Sequence, residues 1–119
     1  MARQVLPAAK KLGKQVADLP VRMPKPKPTA GSSKLRNIID DIWKHAGRPG
    51  SKGDGTTFDA LRNEIRTGKP SAGKFHYQKA ADLMTGLHKV LAAPATSASD
   101  RALAEDLLRQ FADAWKGKP

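Results

Sequence analysis

The stretch "TTFDALRNEIRTGKPSAGKFHYQKAADLMTGLHKVLA", residues 56–92, decides the fold, because it contains two helical patterns and the loop that joins them. In the first pattern, apolar side chains recur at the spacing of one helix face: Phe58, Leu61 and Ile65. Thr56 can accept a hydrogen bond from the backbone of the first turn, and Gly68 supplies a left-handed residue after the last turn. We therefore expect a short helix between Thr56 and Gly68.

Three further helices are expected. One runs from about Phe75 to Ala92, and the others begin after Ser32 or Ser33 and after Ser97, residues of the type that caps helices. Their inward-facing sets are Leu35, Ile38, Ile39, Ile42 and Trp43; Ala80, Leu83, Met84, Leu87 and Leu91; and Leu103, Leu107, Leu108, Phe111 and Trp115. No segment alternates with the period of a strand. The sequence predicts an all-α domain, a compact bundle of four helices.

Residues 1–32 differ in composition from the rest of the chain. The segment "PVRMPKPKPTAGSS", residues 20–33, alternates proline with lysine, a pattern that sustains neither a helix nor a central strand. We expect an extended, solvated, basic leader over residues 1–32 and a helical domain over residues 33–119. The leader either grips phosphates or joins the domain to a longer parent protein.

The net charge of +11 on 119 residues is large. It favours a phosphate-bearing ligand, an anionic membrane surface or an acidic protein as the partner. The chain has no cysteine, which excludes disulfides, thiolate metal sites and a cysteine nucleophile. No run of about 18 apolar residues is present, so we expect a soluble chain without a membrane span.

One histidine lies among lysines in the loop of the opening stretch. His76 falls within the apolar sector of the helix predicted to start at Phe75, and Lys69, Lys74 and Lys79 bracket it. The positive helix start and the lysines both favour a neutral imidazole, which suits a general base. The alternative is a core histidine with one satisfied hydrogen bond.

The helix of residues 56–68 carries a polar flank. Asp59, Asn63 and Arg66 share this flank, and Arg62 lies at the border of the buried face. A guanidinium in that position matches the oxygens of a phosphate, so Arg62 is a candidate phosphate clamp. The alternative is an arginine whose stem packs over apolar side chains while its head is solvated. Glu64 projects to the other flank.

These residue types suit RNA cleavage, which requires a base for the 2′-hydroxyl, an acid for the leaving oxygen and cations for the phosphorane. His76 would act as base or acid, Arg62 and Lys79 would hold the phosphate, and Lys74 with Arg66 would steer RNA. Tyr77 could stack on a base, donate its hydroxyl or pack in the core. His45 and His88 are expected at the surface, although either could supply the acid. No metal-binding or cofactor-binding motif is present, so we expect neither a metal nor a cofactor.

Two motifs resemble the polymorphic toxin type 28 domain, a helical C-terminal toxin module of bacterial contact-dependent and related secreted toxins. The family pattern G-[TD]-T-x-D-A-x-R-N-E corresponds to "GTTFDALRNE", residues 55–64. The pattern T-G-x-P-x-x-G-[KR]-F-H-x-Q-K corresponds to "TGKPSAGKFHYQK", residues 67–79. The resemblance extends from about Ser33 to the C-terminus, and Tyr77 departs from the small polar residue expected there.

The resemblance implies a ribonuclease toxin, delivered as part of a larger protein into the cytoplasm of a competing cell and blocked by a cognate immunity protein. We expect that partner to be acidic, because it must cover a cationic site. We expect the chain to be a monomer. The matched polar residues are Asp59, Arg62, Asn63, Glu64, Lys74, His76, Gln78 and Lys79. Together with the residues chosen above, they give the expected catalytic set His76, Arg62, Lys79 and Glu64, and the expected substrate-binding set Lys74, Asp59, Asn63, Arg66, Gln78, Lys69 and Tyr77.

Two other functions remain open from the sequence. A non-catalytic, basic, helical module that binds nucleic acid through phosphates would need only lysine and arginine. A helical interaction domain could dock an acidic protein through the same charge. RNA turnover, and its loss on replacing His76, would separate the ribonuclease from both.

Overall fold

The structure, a computed structural model, describes residues 17–117 and contains four helices in that range. They are α1 (Ser33–Trp43), α2 (Thr57–Thr67), α3 (Tyr77–Ala92) and α4 (Ala98–Trp115). The described residues contain no β-strand, only an isolated bridge between Ser71 and Lys74. None of these helices is both long and apolar enough to cross a bilayer. The predicted all-α, four-helix fold is confirmed.

The helix ends lie close to the predicted positions, because the capping residues act as expected. The side chains of Ser32, Thr56 and Ser97 each accept a hydrogen bond from the backbone N–H three residues later. Gly68 closes α2 with a φ of 72°, in the left-handed region. The start of α3 differs from its prediction at Phe75. His76, with φ −112° and ψ 14°, is its N-cap, and Phe75 lies outside the helix.

The core is built from the apolar faces of all four helices. Its fully or nearly fully buried side chains include Leu35, Ile39, Ile42, Leu61, Ala80, Leu87, Leu107 and Phe111. Phe58 of α2 packs against Phe111 of α4, with ring centroids 4.6 Å apart. Some predicted core residues, such as Trp43, Met84 and Trp115, are only partly buried at the edge of this cluster.

Helix α2 is buried on its polar side as well as on its apolar side, which the helical projection did not predict. Asp59, Asn63 and Glu64 have 0% of their surface exposed, and Arg62 has 5%. Buried charges are costly unless they are paired. Each of these four side chains has a hydrogen-bonding partner. The short helix α2 is therefore a polar centre enclosed by the rest of the domain.

Residues 17–32, here called the strap, enclose part of α2. They form neither a helix nor a strand, as expected for this sequence, but they are not solvated throughout. The backbone N–H of Leu19 donates to Oδ1 of Asn63 (2.7 Å), and the carbonyl of Lys25 accepts from Nε1 of Trp43 (3.0 Å). The strap thus packs on the helical domain across the expected boundary at residue 32, whereas residues 1–16 of the leader lie outside the described residues.

The end of the strap is fixed by α4. The carboxylate of Asp100 accepts hydrogen bonds from the backbone N–H groups of Gly31 (2.9 Å) and Ser32 (3.0 Å), and the backbone N–H of Asp100 donates the cap bond to the side chain of Ser97. The bonds from Gly31 and then Ser32 hold the pKa of Asp100 below its usual value, although burial opposes them. A first-turn carboxylate on α4 therefore fixes the entry to α1.

Candidate functional site

A pocket lies where the loop after α1, the start of α2 and the loop before α3 meet. Its polar wall consists of Ser51, Lys52, Thr56, Thr57, Ser71, His45, His76 and Lys79. Its volume is about 60 Å³. Since a water molecule needs roughly 10–15 Å³ by this measure, the pocket has room for a group of phosphate size. This is the site at which predicted acid–base residues and a cation meet.

His76 is held in the wall of this pocket by Glu64. Its side chain is 10% exposed, its Nδ1 lies 2.5 Å from Oε2 of Glu64, and its backbone N–H donates to Oε1 at 2.6 Å. Because a carboxylate only accepts hydrogen bonds, we assign the hydrogen to Nδ1. That assignment leaves Nε2 for a ligand. The pair has the geometry by which a carboxylate orients a catalytic imidazole.

Glu64 reaches His76 from inside the protein. The projection of α2 placed it on a flank away from the apolar face, but its side chain is fully buried and lies outside the pocket wall. Its charge sits at the N-terminus of α3, where the positive end of the helix stabilises an anion. The direct partner of His76 is thus this carboxylate, whereas the sequence predicts cations around the ring. Glu64 is a positioning residue in this arrangement.

His45 is brought to the same pocket from the turn that follows α1. The pKa of His45 is lowered, first by burial and then by the charges of Arg48, Lys79 and Lys44, with His76 acting in the same direction. His45 is exposed, as expected, but one side of it faces the pocket. The missing signal was the path of the loop after Trp43, which periodicity does not predict.

Gly55 allows that loop to close on His45. Its φ is +83°, and a Cβ there would lie 2.5 Å from the carbonyl oxygen of His45 and 2.8 Å from Oγ of Ser51. Real Cβ atoms do not approach backbone oxygen so closely, so this position requires glycine. The glycine of the first motif therefore contributes to the shape of the pocket.

Lys79 supplies a cation from the first turn of α3. Burial lowers the pKa of Lys79, Asp41 opposes that shift, and Lys44 and Lys74 add to it. Lys79 and His76, which the sequence predicts to lie close together, therefore line the same pocket. A partly desolvated ammonium is well placed to stabilise charge that develops on a bound phosphate.

Arg62, the expected phosphate clamp, does not lie in the wall of this pocket. Its guanidinium contacts the carboxylate of Asp59, a residue that is itself buried. The same carboxylate accepts from Arg22 of the strap at 2.9 and 3.0 Å and from the backbone N–H of Asp54 at 2.8 Å. Asp59 and Arg62 thus join the strap, the glycine-rich loop and α2, and they explain the burial of this flank.

The remaining expected substrate-binding residues separate into interior and surface groups. Asn63 is fully buried, and its amide donates to Asp18 of the strap, so it does not face the pocket. Arg66 is partly buried on α2, whereas Lys69, Lys74 and Gln78 are exposed around the loop before α3. The ring of Tyr77 stacks between two other aromatic rings. The two exposed lysines remain as surface cations near the pocket.

Within residues 17–117, no group of three or more His, Asp or Glu side chains is arranged to hold a metal ion. No model of a protein family matches the chain, and neither a curated protein nor a solved structure matches it. The resemblance to the polymorphic toxin type 28 domain therefore rests on the two sequence motifs. Both motifs supply pocket residues: Gly55, Thr56, Thr57 and Ala60 from the first, and Ser71, Ala72, His76 and Lys79 from the second.

Proposed function

We propose that the chain is a metal-independent ribonuclease in which two histidines act as the acid–base pair. One observation carries the proposal: His45, His76 and Lys79 line one pocket of phosphate size. The net charge of +11 supplies the long-range attraction for a polyanion. Arg62, which was expected to hold the phosphate, has no part in this mechanism.

His45 is the general base. Its lowered pKa keeps the ring unprotonated at neutral pH, so it can take the proton of the 2′-hydroxyl as O2′ attacks the phosphorus. The ammonium of Lys79 stabilises the charge on the phosphorane oxygens.

His76 is the general acid. The bond from Nδ1 to the Glu64 carboxylate orients the ring and leaves Nε2 for the substrate, so His76, entering the reaction with both ring nitrogens protonated, gives its Nε2 proton to O5′ as the P–O5′ bond breaks. The products are a 2′,3′-cyclic phosphate and a free 5′-hydroxyl. DNA, which lacks the 2′-hydroxyl, cannot follow this route.

The biological role that we propose is that of a toxin domain, delivered as part of a larger protein and active in the cytoplasm of a target cell. The two motifs support it, because the segments that resemble the toxin family are the segments that build the pocket. A cognate acidic immunity protein would bind a chain of charge +11 rapidly and tightly. A monomer suffices, since every proposed catalytic group comes from one chain.

Digestion of total RNA by the full chain in EDTA tests the proposal. We expect cleavage to cyclic-phosphate ends, and His45→Ala and His76→Ala should each lose about 100-fold or more in rate. His88→Ala is the matched control, because this exposed histidine of α3 lies outside the pocket wall. On the acid side of the pH profile the rate should fall only below pH 6.5, the ordinary pKa of histidine, because the pKa of His45 is lowered.

Intact RNA with a folded protein would contradict the ribonuclease. If the chain then still bound RNA in a salt-sensitive manner, with equal affinity in His76→Ala, the second candidate would stand: a basic nucleic-acid-binding module that acts through charge alone.

A further inference from the structure

Three aromatic rings form a stack beside the pocket loop. The centroids of Phe75 and Tyr77 are 5.2 Å apart with the ring planes 16° from parallel, and those of Tyr77 and Trp115 are 5.7 Å apart at 21°. Trp115 is the inner end of the stack, and Phe75 is the outer end. Phe75 is 47% exposed and is the only exposed aromatic side chain among residues 17–117. The outermost ring of the stack, that of Phe75, is therefore exposed at the surface.

Contacts on both sides of Phe75 hold its ring in place. Trp115 is anchored by its Nε1–H bond to Sδ of Met84 (3.2 Å), and Tyr77 is the first residue of α3. Burial and the nearby Glu64 carboxylate raise the pKa of Tyr77, so its ring remains uncharged. On the other side, the bridged turn between Ser71 and Lys74 leads directly into Phe75. A held, exposed ring costs little further ordering when a planar ligand binds it.

We propose that Phe75 is a nucleobase-stacking site for single-stranded RNA, next to the cleavage pocket. The biological meaning of this proposal rests on the proposed ribonuclease function, but the binding of RNA at Phe75 can be measured without any cleavage. A base placed on Phe75 would continue the stack of Tyr77 and Trp115, in the manner by which aromatic side chains hold unpaired bases.

The surroundings of Phe75 favour a nucleotide over an apolar ligand. Lys74 precedes it and is exposed, so a cation is available for the phosphate of a stacked nucleotide. Ser71 and Ala72 before it and His76 after it line the pocket, so a base stacked on Phe75 lies on the loop that borders the acid–base pair. A base paired in a duplex has both faces covered by its neighbours, so the site selects single strands. The site contacts the face of the base rather than its hydrogen-bonding edges, so we expect little preference among the four bases.

The binding test uses a 2′-O-methyl RNA oligonucleotide that carries one 2-aminopurine. It lacks the attacking hydroxyl, so the full chain can bind it without cleaving it. Stacking on Phe75 should quench the 2-aminopurine fluorescence, and Phe75→Ala should abolish the quenching and weaken binding about 5- to 150-fold. Phe75→Trp should retain both, because it keeps an aromatic face.

Two further variants make the test specific. Phe75→Leu keeps an apolar side chain without a π face and should behave as Phe75→Ala does; binding equal to that of the unchanged chain would overturn stacking. Met23→Ala removes another exposed apolar side chain, on the strap, and should change nothing. Helical circular dichroism and thermal unfolding establish that each variant folds.

The outcomes separate this proposal from the ribonuclease. Quenching that depends on Phe75, with RNA left uncleaved, would keep the stacking site and reject the enzyme. RNA cleavage at an unchanged kcat/KM in Phe75→Ala, with unchanged quenching, would keep the enzyme and reject the stacking site. Equal, Phe75-dependent binding of a duplex would overturn the selection of single strands.

Discussion

Replacing Glu64 by glutamine tests the contact on which the active-site geometry depends. The carboxylate accepts from the backbone N–H of His76 at 2.6 Å and from its ring Nδ1 at 2.5 Å, in a position with no exposed surface. Glutamine has nearly the same shape but only one accepting oxygen. While the hydrogen stays on Nδ1, one of the two His76 donors must then face an amide NH₂ group, which cannot accept it, so the variant either leaves that donor unpaired or moves the hydrogen to Nε2 and loses the bond to a charged acceptor.

The expected cost follows from that count. A buried donor left without an acceptor costs about 1–3 kcal/mol, and a hydrogen bond to a charged group contributes about 1.5–3 kcal/mol. Removing a buried charge offsets part of this loss, because the carboxylate no longer has to be desolvated. We therefore expect Glu64→Gln to lower the free energy of unfolding by about 2 kcal/mol, or Tm by roughly 8–16 °C for a domain of this size.

Urea unfolding followed by tryptophan fluorescence measures the stability. Glu105→Gln is the matched control, because Glu105 is exposed on α4 and should change the free energy of unfolding by less than about 0.5 kcal/mol. Nitrogen-15 NMR of the histidine ring provides a second readout that a purely structural role would not move. The unchanged chain should carry the hydrogen on Nδ1, and the variant should shift toward the other tautomer and cleave RNA more slowly.

The reasoning would be refuted if Glu64→Gln were as stable as the Glu105→Gln control and the ring nitrogens of His76 kept their chemical shifts. In that case the buried carboxylate would not orient the imidazole, and His76 would lose its assignment as the acid.

Two further predictions concern the strap. Hydrogen bonds hold the folded-state pKa of Asp100 below 3.8, so its contribution to stability is present above that pH and is lost as the pH falls through the folded-state pKa. The free energy of unfolding should therefore fall less below pH 4 in Asp100→Asn than in the unchanged chain. Asp82→Asn, at an exposed position, is the control. Arg22→Ala should lower the free energy of unfolding in urea by about 1–3 kcal/mol, because it removes two hydrogen bonds from the buried Asp59 carboxylate. Lys25→Ala should lower it by less than about 0.5 kcal/mol. Equal losses would show that the strap does not anchor through Asp59.

The helices could be predicted from the sequence because each carries both a periodic apolar face and local signals at its ends. Ser32, Thr56 and Ser97 act on donors three residues away, and Gly68 acts on the turn just before it, so their effects need no knowledge of the rest of the fold. The start of α3 was misplaced because its cap is not local. The backbone N–H of His76 is taken by Glu64, twelve residues earlier, and no pattern around residue 75 indicates that partner.

The candidate site was predicted in part for the same reason. His76 and Lys79 lie three residues apart at the start of one helix, so the sequence alone brings them to one place. His45 joins them only through the path of a loop that Gly55 permits, and a helical projection says nothing about that path. The projection also assumed that a polar flank faces solvent. That assumption failed for α2, where Asp59, Arg62 and Glu64 are all buried.

The burial of α2 connects the basic, proline-rich segment with the helical domain, two parts of the chain that differ in composition. A charge can be buried only where a partner meets it, and Arg22, a cation that reaches Asp59 from outside α2, comes from the proline-rich strap. Proline and lysine make this segment unable to form a helix, but they do not prevent it from lying along one, because an extended chain leaves its N–H and C=O groups available. Asn63 and Asp100 use those groups, at Leu19, Gly31 and Ser32. A basic, proline-rich composition therefore predicts an extended backbone, and whether that backbone is solvated depends on the buried acceptors of the domain that it crosses.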